Sequence, residues 1–478
     1  MHQRGWPLLV AATALLPAFF LPIPAVGDFF YLPKVLLLLG LELMLAGILW
    51  RSAWRERKSA GLAADSLSHS GVPLGGPAHP LLQPILLYWA VLGLATLRSV
   101  NPMQSLLGEP FRWEGLMTFL LYGGLALLVP AVLVNPHEAD GGVADHLNRL
   151  LGWGLGVAVA IVAYGVLQSY GLDPLPRDPI RSGAAWWRTA AFATLGNSNF
   201  FGTFSAVYLA LSAIRYLTGG GPIWLAGAGA MHYGMLVSLS RGSWLAGGLA
   251  LLLVLLLSTA VGQRPSARRL GALALILVAL TLVWRTADLR ASQRVQEFAQ
   301  DVSQQTGTVG QRLWMWQGTW RAILARPWLG YGPDTLGEVF PQFEPPGRAE
   351  AGLQGWTIDR AHNDYLQVAV SSGLLGLAAY VGILLTAGRL AWRVATGRAS
   401  PPLHRALAWS LGAGALAHLL AVGANLSTVS ESPAFWSLLG CIAALAMDVR
   451  RREAHGRGTN GTVDHRPDAP DAPRREPA

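Results

Sequence analysis

Apolar runs close to twenty residues long alternate with short polar breaks over most of the chain. A hydrocarbon core of about 30 Å is crossed by an α-helix of about 20 apolar residues, so each run predicts one membrane span. Twelve spans are predicted: Trp6–Val26, Pro33–Trp50, Leu81–Leu97, Glu114–Val134, Leu150–Tyr170, Phe200–Leu217, the two halves of Pro222–Val261 split at Ser238–Trp244, Leu270–Trp284, Tyr365–Ala387, Leu403–Asn425 and Ala434–Val449. The first run follows Arg4 as a signal peptide would. It lacks a small-residue cleavage site and another span follows at once, so it is read as a helix. The pattern is that of an all-α polytopic membrane protein.

One long polar segment interrupts it, and this sets the organisation. Residues 1–284 carry spans one to nine, 285–362 form a large loop with amphipathic helices, 363–449 carry spans ten to twelve, and 450–478 form a tail. Within the loop, QRLWMWQGTWRAILAR places Leu313, Trp316, Trp320 and Ile323 three or four apart, on one helical face. A helix lying flat with its Trp face on the membrane is the natural reading. Pro327 ends it, and Gly330, Gly332 and Pro333 make a turn. The segment after span two is basic and then Gly/Ser/Pro-rich, which predicts a flexible loop. The tail has almost no apolar residues and is expected to be disordered.

Composition agrees with the pattern. The chain is 52% hydrophobic and 13% charged, against about 25% charged in soluble domains. The net charge of +9 does not call for nucleic acid, because much of the excess falls in short loops that set orientation. Arg51, Arg55, Arg57 and Lys58; Arg264, Arg268 and Arg269; Arg389, Arg393, Arg398 and Arg405; and Arg450, Arg451 and Arg452 all fall on one side of the predicted layout. That side is cytoplasmic, with both termini, and the long loop is external. The loop after span four also lands inside, although it is not basic. The single cysteine, Cys441, excludes an intrachain disulfide.

This orientation leaves Arg177, Arg181, Arg188, Arg241, Arg312 and Arg321 on the external side, where the positive-inside bias gives no reason for them. Arg241 interrupts an apolar double span with almost no loop, so it sits at or near membrane depth, where a charge is costly and points to function. Guanidinium groups hold phosphate bidentately, and a lipid phosphate or diphosphate is the anion native to that interface. The alternative is that these arginines snorkel to headgroups or pair with Asp173, Asp178 or Glu431. His362 opens span ten in RAHNDYLQ, with Asp359 and Asp364 near enough in sequence to orient it as a base. It equally suits a capping role, and Asn363 or Asp364 suits the N-cap of span ten. No Gly-rich phosphate loop, dinucleotide fingerprint, DxD pair or His/Cys cluster is found. The expectation is therefore chemistry on an already activated substrate, with no cofactor and no metal.

Four segments resemble the O-antigen ligase/polymerase superfamily of bacterial membrane proteins. They are RTAAFATLGNSNFFG, with Ser198 where the family pattern has Pro; SLSRGSWLAG; GQRLWMWQGTWRAILARPWLGYGPDTL; and AHNDYLQVAVSSGLLGL. An acid that follows the last element in many members is absent at Ser371 and Ser372. The resemblance implies transfer of a glycan from an undecaprenyl-diphosphate carrier to an acceptor hydroxyl of lipid A core, protein or glycan, on the external face of the bacterial inner membrane. It implies that Arg188, Arg241 and Arg312 hold the diphosphate and that His362 acts as base on the acceptor. The external Arg321 is added to the candidate diphosphate ligands, and Arg241 and His362 are the catalytic candidates. A polysaccharide polymerase shares the donor site. A small-anion transporter of bicarbonate type is the alternative from another class, and no repeat between the halves supports it.

Overall fold

The computed structural model describes residues 30–62, 79–110, 112–134, 142–173, 190–287, 289–304 and 307–460. The predicted span Trp6–Val26, the arginines Arg177, Arg181 and Arg188, and the tail beyond Asn460 lie outside the described residues. Among the described residues the regular structure is entirely helical. In chain order the helices are α1 (Leu32–Leu62), α2 (Leu82–Leu97), α3 (Pro102–Leu107), α4 (Leu116–Leu133), α5 (Val143–Ser169), α6 (Ser198–Leu217), α7 (Pro222–Val237) and α8 (Arg241–Ala260). They continue with α9 (Ala267–Ala287), α10 (Leu289–Gln304), α11 (Gly307–Ala325), α12 (Leu336–Val339), α13 (Asp364–Thr396), α14 (Pro402–Val422) and α15 (Ser432–Asn460). Nine of the described helices are long and apolar enough to cross a membrane. The apolar α2 and α7, of 16 residues each, take the places of two further predicted spans.

Helix ends differ from the sequence expectation where polar residues continue a helix. Helix α1 runs on to Leu62, into the basic first part of the segment expected to be flexible, because Arg, Glu, Lys and Ala are good helix formers; residues 63–78 lie outside the described residues. Helix α15 likewise continues past 450 into the expected disordered tail. There Arg452 pairs with Asp448 one turn back at 2.9 Å, and Arg451 donates to the Val134 carbonyl at 2.8 Å.

Helix α6 is enclosed by its neighbours, whereas α9 stands at the bundle edge with most side chains exposed. Small residues permit the close contacts: a Cβ at Gly165 would fall 2.5 Å from the Phe201 ring. Lipid gives helices no hydrophobic reason to associate, so such close packing is what joins them.

The predicted loop folds onto one end of this bundle as a second small core. Helix α11 buries Trp314, Met315, Gly318, Thr319, Ala322 and Ile323 against Tyr331, Leu336, Phe340, Leu353 and Ile358. This corrects the predicted stripe. Ile323 points inward, while Leu313 and Trp320 are exposed with Leu324 and Trp328. The helix is apolar on two sides, and periodicity alone merged them.

Helix α13 is broken at Gly373, whose φ of 68° and ψ of −174° are open only to glycine. The break leaves helix carbonyls without their usual donors, and the loop supplies replacements. Tyr331 N donates to Val370 O at 3.0 Å, Gly332 N to Ser371 O at 2.8 Å, and Leu374 N turns to Pro327 O at 2.6 Å. The approach is so close that a Cβ on Gly373 would sit 2.1 Å from Trp328 O, and one on Gly330 2.3 Å from Val370 O. Gly373→Ala is therefore expected to cost about 3 kcal/mol or more. Gly382→Ala, in the same helix with open space around it, is expected to be neutral. Monodisperse yield and melting temperature in detergent check both, and equal behaviour of the two variants would remove the packing argument.

Candidate active site

The site is built where the two halves of the apolar double run meet. Helix α7 ends at Val237, Leu239 turns the chain with φ of 55°, and Arg241 is the first residue of α8. The serines of SLSRGS stabilise this turn. Ser240 Oγ donates to Asn199 Oδ1 at 3.0 Å and shares a hydrogen bond with Ser243 Oγ at 2.9 Å. A Cβ on Gly202 would meet Ser243 Oγ at 2.7 Å. The LGNSNFFG and SLSRGSW segments are thus one packed unit. Arg188, a few residues upstream of that unit, lies outside the described residues.

Arg241 is buried, and its guanidinium pairs with Asp301 at 2.9 Å and hydrogen-bonds Thr308. Both partners come from the loop, Asp301 on α10 and Thr308 at the start of α11. One turn on, Arg312 donates from Nη2 to Asn425 Oδ1 at 3.0 Å. Asn425, just beyond α14, is buried, and its Nδ2 has no acceptor among the described residues. That nitrogen lies 3.4 Å from where a Cβ on Gly242 would be, so Asn425 packs between Arg312 and the backbone that opens α8. Burial, and then the charge of Arg241, lowers the Arg312 pKa to about 10, still cationic at neutral pH.

His362 is held in an unusual backbone geometry, with φ of 49°. Both neighbours are fixed. Asn363 caps α13 by accepting from Leu366 N at 3.1 Å, and its Nδ2 donates to Gly423 O at 2.8 Å. The Ala361 carbonyl accepts from Trp316 Nε1 at 3.0 Å, and Ala361 N donates to Gln367 Oε1 at 3.0 Å. Burial first, then the Arg312 charge, pushes the imidazole down to about 4, with Asp359 opposing and Arg360 adding to the fall. At neutral pH it is therefore an uncharged base.

The expected orienting acids are placed elsewhere. Asp364 accepts from Ser427 N at 3.3 Å and Ser427 Oγ at 2.9 Å, and Asp359 pairs with Arg112. Among the described residues Asp173, proposed as an arginine partner, accepts from Tyr164 at 2.8 Å and Gln168 at 3.2 Å; Asp178 and the nearby Arg177, Arg181 and Arg188 lie outside the described residues. Glu431 accepts from Thr428 through N and Oγ1 at 2.9 Å each. Arg321 does not join the site. It follows Arg312 by nine residues, about 900° around the helix, which turns it to the opposite, exposed face.

Sequence reading passed over a buried ionic cluster directly beside His362. Arg360 pairs with Glu114 and lies 3.5 Å from Asp334; Arg112 reaches Asp334 at 3.3 Å, together with Asp359 and Glu109. Burial lowers Arg360 to about 9, and burial raises Asp334 to about 6 against the pull of Arg112. Beneath Arg360 lies a cavity of about 30 Å³ edged by Glu114, Tyr122, Asp364, Gln367 and Ser427, room for about two waters. The available signal was positional: Glu114 and Asn425 are polar residues at span ends, and Arg360 lies inside the DRAHNDYLQ element.

Residues 226–381 match the O-antigen ligase family. The matched segment holds Arg241, Asp301, Arg312, Asp334, Arg360 and His362, and it supports the likeness to the O-antigen ligase-like superfamily. A search of curated proteins found no match to the chain.

Removing one partner of a buried ion pair strands the other, at a cost of about 3–5 kcal/mol. Arg360→Met is expected to lower the melting temperature in detergent, and the double variant with Glu114→Leu to recover part of the loss. An unchanged melt for Arg360→Met would show that the pair does not hold the loop in place.

Proposed function

We propose that this protein is an O-antigen ligase-like glycosyltransferase that moves a glycan from an undecaprenyl-diphosphate carrier to an acceptor hydroxyl. The observation that carries this reading is the gathering of Arg241, at the start of α8, and Arg312, held by Asn425 next to that helix start, beside an uncharged His362. A diphosphate is the ligand that two fixed guanidiniums and a spare amide donor suit best. The positive end of α8 adds backbone N–H groups at the same place.

In the proposed step the acceptor oxygen attacks the anomeric carbon while the bond from that carbon to the diphosphate oxygen breaks. The bonding pair leaves with the diphosphate, whose charge Arg241 and Arg312 stabilise. The hydroxyl proton passes to an imidazole nitrogen of His362. Free, this imidazole is a weak base, because of its burial first and then the charge of Arg312. A bound diphosphate offsets the guanidinium charge and raises its basicity toward the working pH. Asp301 holds Arg241 in the structure and has to share or yield that guanidinium when the donor binds.

The proposed setting is the bacterial inner membrane, with both termini cytoplasmic and the loop outside, as the basic clusters imply. The loop of residues 285–362 then covers the site from the external side. The proposed acceptor is lipid A core, protein or growing glycan, and a polymerase would use the same donor site. The proposed mechanism needs neither nucleotide nor metal.

Reconstitution with a polyprenyl-diphosphate glycan, following release of the lipid diphosphate, tests the reading. Arg241→Ala and His362→Ala are expected to lower kcat at least about 100-fold at unchanged protein level, and Arg241→Lys to recover only part. Arg321→Ala is expected to stay within about twofold, as an exposed residue away from the site. Normal transfer by Arg241→Ala would sink the diphosphate site. Saturable uptake of bicarbonate with no release would instead favour a transporter.

The pH profile is a separate test. Because the base must be unprotonated, kcat/KM is expected to fall only as pH drops through about 4. The acid limb of kcat, which reports the donor complex, is expected at higher pH. Coincident limbs in the two profiles would contradict the electrostatic coupling of donor and base.

A further inference from the structure

Helix α8 begins at the candidate site with Arg241 and ends 19 residues later at Ala260, about 30 Å away and hence at the opposite membrane boundary. A cavity of about 320 Å³ opens there between the ends of α6 and α8 and the start of α14. Its polar lining is Arg264, Arg405, Gln263, Ser258 and Thr218. Its apolar walls include Leu217, Val254 and Trp409. No carboxylate lines it, and neither Arg264 nor Arg405 has an ion-pair partner among the described residues.

The floor is a built feature. Gln263 Nε2 donates to Ala395 O at 2.8 Å, and Gln263 Oε1 accepts from Trp409 Nε1 at 2.8 Å. This fixes the link between α8 and α9 against α13 and α14. A second cavity, of about 220 Å³ and almost wholly apolar, continues along α14 and shares Val254 and Trp409 with the first. It passes Trp392, Gly388 and Leu384 and reaches Leu419. From Arg405 to Leu419 is about 21 Å along the helix, more than one leaflet of the hydrocarbon core at about 15 Å.

A cationic mouth opening into an apolar groove of leaflet depth has the two-part chemistry of a phospholipid. We propose that this groove binds one anionic phospholipid, its phosphate between Arg264 and Arg405 and one acyl chain along α13 and α14. Anionic rather than zwitterionic headgroups are selected because the mouth holds two positive charges and no acid to meet a choline. The site is distinct from the candidate active site, and its occupancy is read without glycan transfer.

The test is native mass spectrometry of the full-length protein after incubation with phosphatidylglycerol or phosphatidylcholine. At least tenfold preferential retention of phosphatidylglycerol is expected. The double variant Arg264→Gln/Arg405→Gln is expected to lose that preference. Arg268→Gln, an exposed basic residue nearby that does not line the cavity, is expected to keep it. Gly388→Phe, at a position where an added Cβ meets open space, is expected to block the chain groove and lower retention of both lipids without unfolding the protein. Undiminished preference in the double variant, or equal retention of both lipids by the unmodified protein, would overturn the proposal.

Discussion

The structure depends on a broken membrane helix whose backbone is completed from outside. In lipid every peptide group has to find a partner within the protein. Helix α13 forgoes its own partners at Gly373, and the segment from Pro327 to Gly332 provides them. The exchange is tight enough that glycine is required on both sides of it, at Gly330 and at Gly373. Ser99 strengthens the clamp by donating to the Tyr331 carbonyl at 2.9 Å. With this contact in place the loop becomes a fixed lid on the bundle, and its two ends are set: Asp301 and Arg312 at one, Arg360 and His362 at the other.

Buried charge does the rest of the positioning. Arg241 meets Asp301, and Arg360 meets Glu114, each pair joining the loop to the membrane bundle. Such pairs add little net stability once desolvation is counted, but they penalise any other register heavily. His362 inherits this rigidity through its neighbours rather than through its own ring. Its imidazole is left facing Arg312, poised to respond to whatever negative charge arrives there.

The spans among the described residues were legible in the sequence because lipid imposes a length and an apolar content on every crossing helix. The positions of Arg241 and His362 as site candidates followed from where polarity interrupts that pattern. Other features depend on tertiary geometry that no period encodes. Arg312 and Arg321 look alike on paper, yet a half-turn separates a half-buried partner of Asn425 from an exposed residue. Asp359 and Asp364 flank His362 in the chain, but each is taken by a partner far away in sequence, Arg112 and Ser427. Asn425 drew no attention as one amide at the end of an apolar run. Helix α11 defeated the face assignment because it is apolar toward both the loop core and the exterior.

The break at Gly373 also bears on how the protein is made. A ribosome delivers residues 327–332 before residues 364–396, so the donors leave the translocation machinery ahead of the carbonyls they must meet. Helix α13 alone would enter lipid with two peptide carbonyls bare. Its lasting residence in the bilayer is therefore tied to the docking of the segment made just before it. The loop acts in this sense as a built-in assembly factor for the span that follows, and the order of the genetic message is the order in which the fold can close.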